Sequence, residues 1–220
     1  EPLSALDTAI CMGASLSMAH GASQAYKVAG AKTKAVGVLG DSTFFHSGIT
    51  SLMDAVYNQS DSISVILDNR ITGMTGHQQN PGTGFTLMGK PAPEVDIPAL
   101  VKAVGIKEEN IYVVNPLHLD EVDKALDACI EKDEPTVIIT RWPCVLKKFS
   151  QQDLEEFTGL HKTQCHIIQD KCRNCKACVR TGCPALMSSK DDVVIDVNSC
   201  VGCTVCKQVC PFDAIEEVQR

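Results

Sequence analysis

Cysteines are concentrated near the C-terminal end of this 220-residue chain, where eight of the twelve lie between residues 172 and 210. They form two runs, CRNCKACVRTGCP from Cys172 to Pro184 and CVGCTVCKQVCP from Cys200 to Pro211. The second run has the spacing C-x2-C-x2-C-x3-C-P, and the first differs only by one extra residue before its last cysteine. The two runs have nearly the same spacing and start 28 residues apart, at Cys172 and Cys200, which indicates an internal duplication.

This spacing is typical of proteins that hold two [4Fe–4S] clusters, in which the fourth cysteine of each run binds the cluster of the other run. We therefore predict two crossed ligand sets. The first cysteine set is Cys172, Cys175, Cys178 and Cys210, and the second cysteine set is Cys200, Cys203, Cys206 and Cys183. The alternative is structural zinc, although zinc sites usually use two separated C-x2-C pairs. Clusters of this kind carry single electrons, so the chain is expected to take part in electron transfer.

A second constellation of polar residues follows two predicted strands. The segment LGDSTFFHSG contains Gly40, Asp41 and Ser42, and the next strand ends in LDNRITG, which places Asn69 28 residues after Asp41. Ligands bind at the carboxyl ends of parallel strands, helix N-termini bind phosphate, and such oxygen ligands suit a hard cation. The pattern resembles the thiamine diphosphate motif, usually Gly-Asp-Gly followed by Asn-Asn, but differs at two positions. The alternative is a plain strand–turn–helix with an N-cap at Asp41 or Ser42.

Alternating helix and strand patterns precede the cysteine runs and predict an α/β domain over residues 1–147, with a parallel sheet covered by helices on both faces. Asp7–Gly30 is expected to be one buried helix, and Lys34–Gly40 a buried strand. The long Gly-, Pro- and Thr-rich segment Ile71–Asp96 is expected to be a functional loop. A polar linker with one short helix is predicted over residues 148–165, followed by a small α+β ferredoxin domain over residues 166–220.

Composition narrows the class of protein. The net charge of −7 argues against nucleic acid as a partner, and 44% apolar residues are enough for a packed core. The sequence has no apolar run of membrane-spanning length and nothing like a signal peptide, so we expect a cytoplasmic protein without a membrane. In a reducing compartment the cysteines are expected to bind metal rather than form disulfides.

Longer segments resemble one family. ALDTAICMGASLSMAHG, GDSTFFHSGITSLMDAVYNQ, ILDNRITGMTGHQQNPGTG and RWPCVLKK, followed by the two cysteine runs, are similar to the C-terminal part of the alpha subunit of indolepyruvate:ferredoxin oxidoreductases. FFHSG and TGHQ-x-x-PGTG separate the chain from pyruvate-type relatives. The resemblance implies oxidative decarboxylation of aryl 2-oxo acids to acyl-coenzyme A, with thiamine diphosphate, Mg²⁺ and two [4Fe–4S] clusters as cofactors. It also implies an anaerobic setting.

The resemblance also implies roles for individual residues. Asp41 and Asn69 are expected to bind Mg²⁺ through their side chains, and Ile71 through its carbonyl. The other expected cofactor-binding residues are Cys11, Gly13, Ser15, Gly40, Ser42, Thr43, Thr72 and Gly73. His46 and His77 are the side chains nominated for proton transfer, and the alternative for each is an ordinary hydrogen-bonded loop histidine. Cys129 is expected in the core, whereas the sequence assigns no role to Arg70, Cys144 or Cys165.

The family's pyrimidine-binding domain does not fit into 220 residues beside these motifs. We therefore expect the chain to work in a hetero-oligomer with that domain and a beta subunit. Its other expected partners are an external ferredoxin, a 2-oxo acid and coenzyme A, and alone it is expected not to turn over. Two alternatives stay open: a ferredoxin-like electron carrier with a non-catalytic α/β docking domain, or a relative specific for pyruvate or 2-oxoisovalerate.

Overall fold

The computed structural model describes residues 5–158, 162–190 and 192–220, which form two compact units. The α/β unit is Ala9–Lys147, and the cysteine-rich unit is Lys148–Arg220 together with residues 5–8. The predicted domain and linker boundaries touch residues 1–4, 159–161 and 191, which lie outside the described residues.

A four-stranded parallel sheet forms the centre of the α/β unit. Its strands are β1 (Val36–Gly40), β2 (Ile63–Asp68), β3 (Ile111–Val114) and β4 (Thr136–Arg141), in the spatial order β1-β2-β4-β3. Gly40 is the register partner of Leu67, so β1 and β2 end side by side at one edge of the sheet. The predicted parallel sheet is confirmed.

Helices cover both faces of this sheet, as predicted. The helices are α1 (Ser15–Ala29), α2 (Asp41–Thr43), α3 (Ile49–Tyr57), α4 (Ile97–Ala103) and α5 (Leu119–Ile130). Alternate residues of β4 face opposite sides: Ile139 packs in the larger core with Leu16 and Leu52, whereas Ile138 packs with Cys129 on the α5 side. Because successive side chains of a strand point to opposite faces, β4 contributes residues to a core on each side of the sheet. Cys129 is fully buried in one of these cores, as predicted.

Two local predictions are wrong. The predicted helix Asp7–Gly30 begins only at Ser15, because Gly13 has φ +89°, which a helix does not tolerate. The predicted buried strand Lys34–Gly40 is β1, but Val36 and Val38 are 49% and 40% exposed. The α5-side core is built on β2 and β4 and does not extend over β1.

The cysteine-rich unit is built from two small antiparallel pairs. Its elements are α6 (Gln151–Glu156), β5 (Thr163–Ile167), β6 (Leu186–Ser188), β7 (Val193–Ile195), α7 (Val205–Gln208) and β8 (Ile215–Gln219). β5 pairs with β8, and β6 pairs with β7. Each pair thus joins one strand from each half of the duplication. The segment predicted as a linker contains one short helix, as expected: this is α6, which begins with a Ser150–Asp153 capping box. Unlike the prediction, the segment also contains the start of β5.

The core of this unit consists partly of cysteines, among them Cys165, Cys178 and Cys206, packed with Leu186, Val193 and Ile215. None of the twelve cysteines, all of which lie among the described residues, forms a disulfide. Across the described residues, no helix combines the length and the apolar character needed to cross a membrane.

Candidate functional site

Asp41 lies directly after β1 and is 2% exposed. Its Oδ1 accepts a hydrogen bond from the backbone N–H of Ser42 at 2.7 Å. Burial, helped by the neighbouring Asp68, raises the pKa of Asp41 to about 6, although the hydrogen bonds from Asn80, Ser42 and Ile71 oppose the rise. Burying a negative carboxylate costs free energy unless a cation pairs with it, so this position is suited to binding a cation.

The residues after β2 reach the same point. Asn69 Oδ1 accepts the backbone N–H of Ile71 at 3.2 Å, and that N–H also lies within hydrogen-bonding reach of the Asp41 carboxylate. The Thr72 hydroxyl donates to Ser42 Oγ at 2.9 Å, which ties the segment after β2 to the one after β1. Five of the residues predicted from the sequence thus lie together at the carboxyl edge of the sheet.

Asn80 is a member of this group that sequence reasoning missed. Its side-chain amide donates to Asp41 Oδ2 at 3.1 Å, and its Oδ1 accepts the backbone N–H of Gly82 at 2.9 Å. Asn80 is 7% exposed although it belongs to the long loop. The phrase HQQNPGTG was the available signal, since it contains an amide residue just before a Pro-Gly turn.

Ion pairs fix the backbone on both sides of Asn69. Arg70 is buried with φ +59°, and its Nη1 donates to Glu94 Oε1 at 2.6 Å, which ties the far end of the loop to the strand end. Arg141 Nε donates to Asp68 Oδ2 at 2.7 Å. These contacts answer the open question about Arg70: it anchors the loop.

A helical irregularity shapes the other side of this edge. Between α2 and α3 the chain makes a π-turn over Phe44–Gly48, a feature that is frequent at functional sites. Phe44 is fully buried in the core, whereas the Phe45 ring faces the backbone of Gly82, where an added Cβ would lie 3.1 Å from it. The π-turn therefore packs the segment after β1 against the long loop.

For four other predicted cofactor-binding residues, the structure shows the immediate surroundings. A Cβ at Gly13 would lie 1.9 Å from Ser47 Oγ and 3.8 Å from the Thr43 methyl, so these segments are close. Ser15 Oγ is buried and has no hydrogen-bond partner among the described residues. A Cβ at Gly40 would meet nothing within 4 Å, which leaves open space there, and one at Gly73 would approach only the Asn69 amide and the Ile71 side chain, both at about 4 Å.

Cys11 and the two histidines are not brought into the group around Asp41. Cys11 is exposed, and its carbonyl accepts the N–H of Ala14 at 3.2 Å. His46 is exposed on the π-turn. His77 is exposed on the loop, where its Nε2 lies 4.0 Å from Cys144 Sγ. The N–H of Cys144 donates to the carbonyl of Asn69 at 2.9 Å, so this Cys–His pair is adjacent to the group.

In the cysteine-rich unit, all four members of the first cysteine set line one cavity, together with Val193 and Ile215. Cys210, from the second run, is therefore beside the first run, as the crossed arrangement requires. The Cys210 sulfur also accepts the N–H of Ala214 at 3.4 Å. Within the described residues, no three His, Cys, Asp or Glu side chains meet as closely as a single metal ion would require.

The second cysteine set also comes together. Cys183 packs against the buried cluster that contains Cys200 and Cys206. Burial raises the pKa of Cys203, and the charges of Cys183, Cys165 and Cys200 raise it as well. The structure adds a cysteine that the spacing did not identify: Cys165 on β5 is 1% exposed, and its N–H donates to Cys200 Sγ at 3.3 Å.

Residues 1–140 match the family model described as thiamine pyrophosphate enzyme, C-terminal TPP binding domain, and residues 193–216 match that of the 4Fe-4S binding domain. The chain therefore belongs to the thiamine pyrophosphate enzyme family, and it joins a TPP binding domain to a 4Fe-4S binding domain.

Curated relatives narrow the similarity. The indolepyruvate oxidoreductase subunit IorA of Archaeoglobus fulgidus is 38% identical over 98% of this chain and 33% of its own length. The subunit of the same name from Thermococcus kodakarensis is 36% identical over 100% of this chain and 35% of its own length. The chain thus spans about a third of the length of these relatives. The resemblance predicted from the sequence motifs is confirmed.

A solved structure supports the fold. The 2-oxoglutarate:ferredoxin oxidoreductase from Magnetococcus marinus superposes with a TM-score of 0.55 over 66% of this chain and 50% of that one, at 15% sequence identity. This likeness concerns the fold alone, and it agrees with the predicted α/β class.

Proposed function

We propose that the chain is the diphosphate-binding and electron-exit part of a thiamine diphosphate-dependent 2-oxoacid:ferredoxin oxidoreductase. The complete enzyme oxidatively decarboxylates indolepyruvate and other aryl pyruvates to aryl-acetyl-coenzyme A. One observation carries the proposal: a single chain combines a buried oxygen-ligand group at the carboxyl edge of a parallel sheet with two converging cysteine sets. Few cofactors need an adjacent one-electron acceptor, and thiamine diphosphate in such enzymes is one.

The group around Asp41 fits Mg²⁺ and a diphosphate. Asp41 and Asn69 supply side-chain oxygens and Ile71 a carbonyl oxygen, which is the ligand chemistry that Mg²⁺ prefers. The open space at Gly40 lets phosphate oxygens approach the backbone, with Ser42 and Thr43 beside them. When bound, thiamine diphosphate supplies the electron sink that allows a 2-oxo acid to lose CO₂.

Other residues are assigned to positioning and proton transfer. Cys11, Gly13 and Ser15 lie before and at the start of α1 and would face the rings of a bound cofactor. The buried Ser15 hydroxyl has no hydrogen-bond partner among the described residues, which suits a residue that acquires its partner from a ligand. Thr72, which donates a hydrogen bond to Ser42, and Gly73 are assigned to the same side of the cofactor site. His77 and His46 are the candidate proton carriers, and His77 has the stronger support because its partner Cys144 is bonded to the Asn69 backbone.

Two [4Fe–4S] clusters complete the proposal, one on each cysteine set. Thiolate sulfurs are the ligands that such clusters require, and the fourth cysteine comes from the opposite run in both sets. Ferredoxin is the final acceptor of the electrons. Because the chain spans about a third of its relatives' length, turnover requires the pyrimidine-binding domain and a beta subunit, in a cytoplasmic hetero-oligomer.

Binding of thiamine diphosphate tests the α/β unit. The chain, reconstituted with the pyrimidine-binding domain and the beta subunit, is titrated with thiamine diphosphate in the presence and absence of Mg²⁺ by calorimetry. We expect Mg²⁺-dependent binding that Asp41→Ala abolishes. Asp123→Ala, which removes an equal charge from the exposed face of α5, should leave binding unchanged. If the wild-type assembly does not bind the cofactor, the electron-carrier interpretation replaces this one.

A substrate panel tests the chemistry. The same assembly receives indolepyruvate, phenylpyruvate, pyruvate or 2-oxoisovalerate with coenzyme A, and reduction of ferredoxin is followed by absorbance. We expect the aryl substrates to have the highest kcat/KM. A preference for pyruvate or 2-oxoisovalerate would contradict the aryl assignment while leaving the 2-oxoacid oxidoreductase class intact.

A further inference from the structure

Cys165 lies beside the second cysteine set without belonging to it. Its N–H donates to Cys200 Sγ at 3.3 Å, and its side chain packs in one buried cluster with those of Cys200 and Cys206. The residue is 1% exposed and sits in the middle of β5, with Glu217 of β8 as its register partner. A small polar group is thus held in a fixed position among the sulfurs of this set.

The packing around Cys165 leaves its strand little freedom. At Gly202, which has φ +71°, an added Cβ would lie 2.4 Å from the Thr163 carbonyl, so the loop of the second set presses directly on β5. The Arg220 guanidinium donates to the Cys200 carbonyl, and the Arg220 N–H donates to Lys162 O at 3.1 Å. Contacts with β5 and with the chain end after β8 therefore hold the Cys165 backbone in place.

The internal duplication provides a comparison within the same molecule. The position 28 residues after Cys165 is Val193, just as Cys200 follows Cys172 by 28 residues. Val193 is 1% exposed and lines the cavity of the first cysteine set. The two halves thus present a thiol to the second set and an isopropyl group to the first, with similar shape and opposite hydrogen-bonding capacity.

The position of one proton follows from cluster chemistry. Cysteines that bind iron do so as thiolates, so Cys206 carries no proton when it is a ligand. Between Cys165 and the thiolate of Cys206, which packs in the same cluster, only the Cys165 thiol can donate a hydrogen bond. Reduction adds negative charge to a cluster, and hydrogen bonds to its sulfurs stabilise that charge.

We propose that Cys165 is a positioning residue of the second cluster: its S–H and N–H donate to ligand sulfurs and raise the reduction potential of that cluster above that of the first. The inference rests on the ligand sets given under the proposed function. It assigns Cys165 a role in electron transfer without making it an iron ligand.

The test exchanges the duplicated positions. In the chain with reconstituted clusters, Cys165→Val removes the donor and installs the group that the other half carries naturally, Cys165→Ser keeps a donor, and Val193→Cys adds one beside the first set. Midpoint potentials are measured by redox titration with EPR detection. The second cluster is identified as the one whose signal is lost in Cys203→Ala. Cys129→Ala, a buried cysteine of the α/β unit, is the matched control.

Expected results follow from the donor count. Cys165→Val should lower the potential of the second cluster, with a threefold to tenfold shift in its reduced-to-oxidised ratio, about 30–60 mV for one electron. Cys165→Ser should restore most of the lost potential, and Val193→Cys should raise the midpoint potential of the first cluster. Cys129→Ala should change neither potential.

Three outcomes would overturn the inference: no shift in Cys165→Val, equal shifts in Cys165→Val and Cys165→Ser, or loss of iron from the second cluster in Cys165→Ser. If Cys165→Val does not assemble its clusters, the Val193→Cys variant decides the matter: an unchanged potential of the first cluster would also overturn the inference. If instead Cys203→Ala removes no cluster signal, the ligand assignment itself has failed, which is a distinct result.

Discussion

Replacing Asp41 by asparagine should make the cofactor-free α/β unit more stable at neutral pH while removing its ability to bind Mg²⁺. The reason is the burial of the carboxyl group, which raises its pKa from 3.8 to about 6 in the folded chain. The folded state therefore holds this proton more tightly than the unfolded state does. The corresponding contribution to stability is greatest below pH 3.8 and is lost as the pH rises through 6.

The size of the effect follows from the two pKa values. With 1.36 kcal/mol for each pKa unit, ionisation of Asp41 costs roughly 1.6 kcal/mol at pH 5 and roughly 3 kcal/mol at pH 7.5. The asparagine variant avoids this cost but loses the hydrogen bond from Asn80, worth about 1 kcal/mol at any pH in this range. We expect the free energy of unfolding of the variant to exceed that of the wild type by about 2 kcal/mol at pH 7.5. At pH 5 this excess should be smaller by about 1.4 kcal/mol, because ionisation of Asp41 costs less there.

Denaturant unfolding at several pH values measures this difference. Trp142 is the only tryptophan and belongs to the α/β unit, so its fluorescence reports the unfolding of that unit. The control Asp123→Asn, on the exposed face of α5, should follow the wild-type curve. Thiamine diphosphate with Mg²⁺, supplied with the partner chains, should stabilise the wild type but not the Asp41 variant. Parallel stability curves for wild type and variant from pH 5 to 7.5 would refute the reasoning.

Three further predictions concern single contacts. Cys183→Ala should remove iron from the cluster of the second cysteine set, and EPR with iron analysis checks this; loss from the first cluster contradicts the crossed ligands. Gly13→Ala should destabilise the α/β unit by about 2 kcal/mol or more, because φ +89° and a 1.9 Å contact oppose a methyl group; in denaturant unfolding, Gly21→Ala, with open space in α1, should instead stabilise it by about 0.5–1 kcal/mol. Asn80→Ala should raise the pKa of Asp41 above 6 and weaken Mg²⁺–thiamine diphosphate binding, about fivefold at pH 6 if the pKa rises by about one unit, as calorimetry would show.

Where ligand spacing is local, the sequence was sufficient to predict which residues meet. Three cysteines at gaps of two residues must lie on one loop. The two-cluster spacing predicted that Cys210 lies beside the opposite run, and Cys210 lines the same cavity as that run. The alternation of helix and strand patterns predicted the parallel sheet, and because β1 and β2 end side by side, Asp41 and Asn69 both lie beside the Ile71 N–H.

Contacts that depend on the path of an irregular segment were beyond the sequence. Asn80 and Glu94 both belong to a loop without periodicity, so nothing in their spacing showed that one would reach Asp41 and the other Arg70. The exposure of Val36 has a similar cause, because an apolar strand does not reveal which face its helices leave uncovered. Cys165 differs from these, since aligning the two halves sets it against Val193 and exposes the asymmetry directly.

That asymmetry bears on how a duplicated domain can move electrons in order. Two halves related by duplication, with strands exchanged so that β5 pairs with β8 and β6 with β7, would give two clusters of equal potential if every position matched. Equal potentials favour neither cluster as the resting place of a single electron. The thiol of Cys165 on one side and the side chain of Val193 on the other break this equality at positions that ligand spacing does not constrain. Electrons delivered one at a time should therefore collect first on the cluster of the second cysteine set, a preference that the Cys165→Val and Val193→Cys exchange should weaken or reverse.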